Sequence, residues 1–186
     1  MKRAFTLVEA LIVVAVVLVL AAFLWPVFDR MRNGARRVSC QSNLKQIGLG
    51  FMQYERDYDE KFPPARATSA SGWANVLQPY VKSTQLFQCP SAVRTTTGFS
   101  SDYFYNRRLS RLSLAKIGKT TTTILMGDGE AASTWNSWTG LPADAATNPN
   151  SPAQRHLQGA NYGYVDGHVK WVTPQNLSRQ AKWSPQ

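Results

Sequence analysis

One block of sequence limits what this chain can fold into. From Ala4 to Phe28, 22 of 25 residues are hydrophobic, and only Thr6, Glu9 and Pro26 interrupt it. Ala10–Phe28 alone would make a helix about 28 Å long, close to the ~30 Å hydrocarbon core of a bilayer. A cleaved secretory signal would need a shorter apolar region ending in small residues. This block instead ends in Phe23-Leu24-Trp25-Pro26-Val27-Phe28. Without it, the other 161 residues are about 37% hydrophobic, an ordinary globular value. The chain therefore reads as a membrane segment joined to a water-soluble head. A simple soluble domain, a polytopic membrane protein and a disordered basic tail are all excluded.

The net charge of +10 is placed just as unevenly. Residues 1–29 balance Lys2 and Arg3 against Glu9 and Asp29, so the whole excess lies beyond them. A basic head suits anionic partners such as lipid headgroups, glycan or nucleic acid, and also simply aids solubility. Arg94, Arg107, Arg108, Arg111, Lys116 and Lys119 are the densest group of cations.

Glu9 does not suit an ordinary anchor, because a lone carboxylate in hydrocarbon costs a few kcal/mol. No basic residue of the chain reaches it within the bilayer. Its expected partner is another molecule, or a chain terminus brought close to it.

At this point the sequence resembles a known family. Lys2-Arg3-Ala4-Phe5-Thr6-Leu7-Val8-Glu9, followed by the apolar run, is similar to the leader of type IV pilins and type II secretion pseudopilins. The resemblance implies cleavage by a prepilin peptidase between Ala4 and Phe5 and N-methylation of Phe5. It also implies docking of Glu9 against a neighbouring subunit's terminus. Ala4 departs from the family, where glycine precedes the cut. Further implied partners are other pilin or pseudopilin subunits, an inner-membrane assembly platform, and membrane lipid before assembly. The head would lie outside the cytoplasm on a single-pass inner-membrane anchor, and then on an extracellular or periplasmic filament. A positive-inside count of Arg30, Arg32, Arg36 and Arg37 against Lys2 and Arg3 argues the opposite orientation. The leader takes precedence, because its peptidase acts on the cytoplasmic face.

Beyond the span, Cys40, Leu44, Ile47, Phe51, Tyr54 and Tyr58 recur at spacings of 4, 3, 4, 3 and 4, the mark of a helix with one buried face. Pro63-Pro64 ends that pattern, and Gly34, Gly48 and Gly50 are expected bend points. The expected organisation is a leader over 1–4, a transmembrane and polymerisation helix over 5–28, a stem helix over 29–62 and a head over 63–186. Trp73–Val81 reads as a short helix or turn, Thr121–Met126 as a strand, and 132–154 as a long surface loop. Asp166-Gly167 lies between Asn161–Val165 and His168–Val172, a two-residue hairpin signal with Tyr164 facing Val169 and Tyr162 facing Trp171. The fold class is α+β, a long helix packed on a small antiparallel sheet.

His156 lies ten residues before Asp166. The run Arg155-His156 through Asp166-Gly167-His168-Val169-Lys170-Trp171 resembles the His-x9-Asp-Gly domain of many pseudopilin-like proteins. Ser39–Gly48 and Phe87-Gln88-Cys89-Pro90 resemble further blocks of that group.

Outside the cytoplasm, Cys40 and Cys89 would meet oxidising conditions. The expected result is a disulfide closing a loop of about 50 residues and contributing ~2–4 kcal/mol. Two buried free thiols are the alternative. Asp128, Glu130 and Asp166 lie in acidic turns that could supply oxygen ligands to a structural calcium, although Asp-Gly also simply makes turns. No other cofactor is expected. Zinc at His156, His168 and the cysteines is disfavoured, since no pair has short ligand spacing. His156 is expected to make a structural hydrogen bond that orients the hairpin relative to Asp166. No Walker loop, Rossmann glycine pattern, His-Glu-x-x-His or nucleophile elbow is present, so no enzyme is expected. The sequence thus reads as a structural filament subunit. Two other readings stand beside it: a minor pilin whose basic head binds DNA or anionic glycan, and a membrane-tethered surface protein that does not polymerise.

Overall fold

The computed structural model describes residues 6–68, 71–93, 98–133 and 135–185. Helix α1, Leu7–Asp57, is continuous through Pro26 and through all three glycines. Its 51 residues span roughly 77 Å. Thr6 and Glu9 form a capping box at its start: the Thr6 N–H and hydroxyl both donate to Glu9 Oε2 (2.9 and 2.8 Å), and the Glu9 N–H donates to Thr6 Oγ1 (3.3 Å). This satisfies amide groups that a helix start leaves without partners. Every residue from 6 to 33 is exposed, and burial begins in earnest at Cys40. The helix ends where Asp59 and Glu60 take left-handed backbone conformations (φ 51° and 55°), ahead of Pro63-Pro64.

The buried stripe of α1 runs through Cys40, Leu44, Ile47, Phe51 and Tyr54. Tyr58 is off it: it is 52% exposed and stacks on Tyr54 at 4.2 Å between centroids. Gly48 and Gly50 are buried contact points, not demonstrated bends. A Cβ on Gly50 would come within 2.7 Å of Val81 Cγ2, so helix α2 (Trp73–Val81) packs directly against the stem backbone.

The head contains a five-stranded sheet in the order β3-β1-β2-β4-β5. The strands are β1 Ser101–Asn106, β2 Ile124–Ser133, β3 Ser137–Trp138, β4 Ala160–Tyr164 and β5 Val169–Val172. The sheet is mixed, not purely antiparallel, because β3 runs parallel to β1. That strand comes from the segment expected to be only a surface loop. Its Trp138 stacks on Phe104 at 4.5 Å.

The sheet separates two apolar layers. On the stem side, Phe51 meets Trp73 (5.7 Å) and Tyr105 (5.2 Å). On the far side, Phe104, Ile124, Tyr162 and Tyr164 are covered by Leu177 of helix α3 (Pro174–Gln180) and by Trp183. Strand β1 is buried on both faces, so it lacks the alternation that marks a half-exposed strand. Asn106 joins its end to the C-terminal segment, its Nδ2 donating to the carbonyls of Ile124 (2.7 Å) and Trp183 (3.0 Å).

The β4–β5 hairpin forms at the expected place but one residue out of the expected register. Asn161 faces Trp171 and Tyr162 faces Lys170. The connection is Val165-Asp166-Gly167, with Gly167 at φ 88° and its N–H donating to the Tyr164 carbonyl (2.9 Å). This is a three-residue hairpin with glycine at the left-handed position. Val165 explains the shift. It is buried against the stem-side core and its N–H donates to the Thr123 carbonyl (3.1 Å), so it belongs to the loop and not to the outer face of a strand.

Candidate functional site

Two regions carry the functional groups. The first is the exposed part of α1. Ala4 and Phe5, the expected cleavage and methylation residues, lie outside the described residues. Glu9 lies within them and is exposed, held by Thr6 of its own helix. The partner within the chain is therefore a hydroxyl and an amide, not a basic side chain. Thr6-Leu7-Val8-Glu9 is a legible capping box. The α1 span is long and apolar enough to cross a membrane.

The second region lies where the stem first enters the head, at Cys40. Cys40 of α1, Cys89 of the loop after residues 84–87, Asp128 of β2 and His156 of the turn before β4 meet there. One ligand atom from each lies within 4.8 Å of all the others, and all four residues are buried. Cys89 Sγ is 3.4 Å from His156 Nε2, and the same nitrogen is 3.5 Å from Asp128 Oδ2.

Each member is held by its backbone setting. The Cys89 N–H donates to Asp102 Oδ2 (2.9 Å). The Asn161 N–H donates to Asp128 Oδ2 (2.7 Å), while Asp128 Oδ1 has no hydrogen-bond partner among the described residues. His156 and Gly159 exchange backbone hydrogen bonds (2.8 and 3.2 Å) across Leu157 and Gln158, both left-handed at φ 54° and 64°. Trp171 Nε1 donates to the His156 carbonyl (2.7 Å). Its ring lies so close to Gly159 that a Cβ there would come within 2.6 Å of it. Two non-glycine residues at positive φ are a conformational cost, sustained here by the contacts that aim His156 inward.

The electrostatics follow from this crowding. The hydrogen bond with Cys40, helped by the one with His156, outweighs burial and brings the Cys89 thiol down to about 6. Cys40 is pushed up by the same hydrogen bond and by burial, so the pair's negative charge belongs on Cys89. Burial disfavours a charged His156, but hydrogen bonds with Asp128 and Cys89 outweigh it and raise the ring to about 9.

Several expectations are corrected here. Cys40 and Cys89 do meet, but as free cysteines and not as a disulfide. His156 does bond to the hairpin, its carbonyl accepting from Trp171 of β5, but its ring faces Asp128 and not the hairpin turn. That hairpin has its own histidine: His168 Nδ1 lies 2.6 Å from Asp166 Oδ1, and its ring stacks on Tyr164 at 4.2 Å. The expected calcium set is not assembled. Asp128 is buried in the cysteine cluster, Glu130 is exposed farther along β2, and Asp166 is engaged by His168. Strand β2 continues through Asp128-Gly129-Glu130, so this is not a turn. Of the basic group, Arg107, Arg108, Arg111, Lys116 and Lys119 are all exposed along one segment, and Arg94 lies outside the described residues.

A capped, membrane-length helix carrying an α+β head is the architecture of a pilin-like protein, and residues 1–25 match the prokaryotic N-terminal methylation motif. That motif marks a membrane-anchored subunit, processed as prepilins are and assembled with others of its kind. Residues 29–134, more than half of the chain, match the protein family of unknown function DUF1559, and the chain belongs to that family. The match ends short of His156. No curated protein and no solved structure matches the chain.

Proposed function

We propose that this protein is a structural subunit of a filament of the type IV pilus or type II secretion pseudopilus class. A prepilin peptidase cuts it before Phe5, and the new terminus is methylated. Subunits leave the membrane by stacking their apolar helices, and Glu9 sets the axial register against a neighbour's terminus. The head then decorates the fibre.

The observation that carries this reading is the exposed surface of α1. From Thr6 to Asn33 every residue is exposed and the helix packs against nothing among the described residues of its own chain, although 17 of these residues are large hydrophobics. Such a surface needs lipid or other helices around it. The match to the methylation motif favours both in turn. In the single subunit, the Thr6 capping box occupies Glu9 until a neighbour's terminus competes for it.

The test is Glu9→Gln beside Thr6→Ala. Glutamine keeps the capping box but removes the charge. Glu9→Gln should leave the membrane pool intact and strongly reduce the chain in sheared surface or periplasmic filaments, whereas Thr6→Ala should have the smaller effect. Normal incorporation of Glu9→Gln would refute the docking role.

A further inference from the structure

The buried cluster at the base of the head remains unexplained by filament assembly. Its most familiar chemical reading would be a cysteine nucleophile with histidine and aspartate. The geometry argues against it. In such a relay the histidine meets its nucleophile with one ring nitrogen and its orienting carboxylate with the other. Here Cys89 Sγ and Asp128 Oδ2 both approach Nε2, and Cys89 is only 3% exposed. With sulfur and carboxylate on the same nitrogen, a proton has no path across the ring.

Convergence on one point is instead the arrangement of metal ligands. We propose that Cys40, Cys89, Asp128 and His156 form a structural zinc site that fastens the stem helix to the head. A tetrahedral zinc has bonds of about 2.0–2.2 Å to nitrogen or oxygen and about 2.3 Å to sulfur, which sets its ligands about 3.3–3.8 Å apart. The two His156 Nε2 separations, 3.4 Å to sulfur and 3.5 Å to oxygen, match those edges. Two sulfurs, one imidazole and one carboxylate select a borderline-soft cation over calcium, which takes six to eight oxygens.

Three further observations fit. Asp128 is fully buried and its Oδ1 has no hydrogen-bond partner among the described residues, a costly state for a buried polar atom that a ligand on that oxygen would relieve. The Asn161 N–H on Asp128 and the Asp102 carboxylate on the Cys89 N–H hold two ligands from behind, as outer-shell contacts do at metal centres. The left-handed Leu157-Gln158 turn points His156 into the cluster. On binding, both cysteines coordinate as thiolates and His156 as neutral imidazole, and the displaced protons go to solvent. The bound metal would join α1 to three separate parts of the head. It would also keep two thiols from oxidising outside the cytoplasm.

The experiment uses the full chain, extracted from membranes in detergent without chelator. The expected result is about one zinc per chain by elemental analysis, with two thiols that react only after zinc is removed. Replacing zinc with cobalt(II) should give the strong visible bands of a tetrahedral site and sulfur-to-cobalt charge transfer in the near ultraviolet. Asp128→Asn, which keeps three ligands and the side-chain shape, should weaken zinc roughly tenfold or more in competition with a chromophoric chelator. The wild-type cobalt spectrum needs no variant to fold. A Cys40–Cys89 disulfide in the extracted chain would overturn the proposal. So would a reduced, folded chain that takes up neither zinc nor cobalt.

Discussion

Glu55 offers a test of how the stem is seated in the head. It lies in the last turns of α1, 9% exposed, with Glu60 nearby. Burial first, and repulsion from Glu60 second, raise its carboxyl to about 7 from 4.5. A carboxylate near a helix C-terminus also opposes the helix dipole. Because the folded pKa is raised, the group's favourable contribution is complete below about pH 4.5. It is lost as pH rises through about 7. The difference between the two limits is about 2–3 kcal/mol after allowance for partial solvent access. Glu55→Gln mimics the protonated form. At pH 8 it should stabilise the head by about that amount, roughly 5–10 °C in melting temperature. At pH 5 the gain should be under about a third of this. The assay is thermal unfolding of the detergent-solubilised chain, following near-ultraviolet circular dichroism of the head, with variant and wild type compared at each pH. Taking the difference cancels the titration of His156 and Cys89. An equal gain at both pH values, or none at pH 8, would refute a buried, raised Glu55.

Two other perturbations probe separate parts of the molecule. Phe51→Ala removes the ring that meets Trp73 and Tyr105, and should cost about 3–5 kcal/mol in denaturant unfolding, enough to loosen α1 from the head. Replacing Arg107, Arg108, Arg111, Lys116 and Lys119 together by glutamine should leave the fold intact, because all five are exposed. If that segment contacts DNA or anionic glycan, the change should abolish retention of polyanion by the chain at low salt and flatten its salt dependence. Equal retention by wild type and variant would remove the segment from consideration.

What was legible in the sequence is local. The apolar block, the stem stripe and the Asp-Gly hairpin are each written within a few turns or strands, where periodicity and backbone preference act on neighbouring residues. Even there, a local rule failed once a distant contact entered. Val165 left its strand because the stem-side core and the Thr123 carbonyl hold it, and the hairpin gained a third loop residue. Tyr58 keeps the helical spacing in sequence but lies one residue past the end of α1 and is half exposed.

The buried cluster shows the division most sharply. Its members are 49, 39 and 28 positions apart, so no short ligand motif exists to be read. Pairing the two cysteines as a bridge was the natural expectation from an oxidising compartment. Only the packed head brings Asp128 and His156 to the same point and separates Asp166 from it. The sequence by itself determined a capped, membrane-length helix with an amphipathic stem, because those properties depend on spacing along one chain segment. The tertiary structure decided which distant polar groups share a dry interior. That depends on the order and register of strands, which no local pattern encodes.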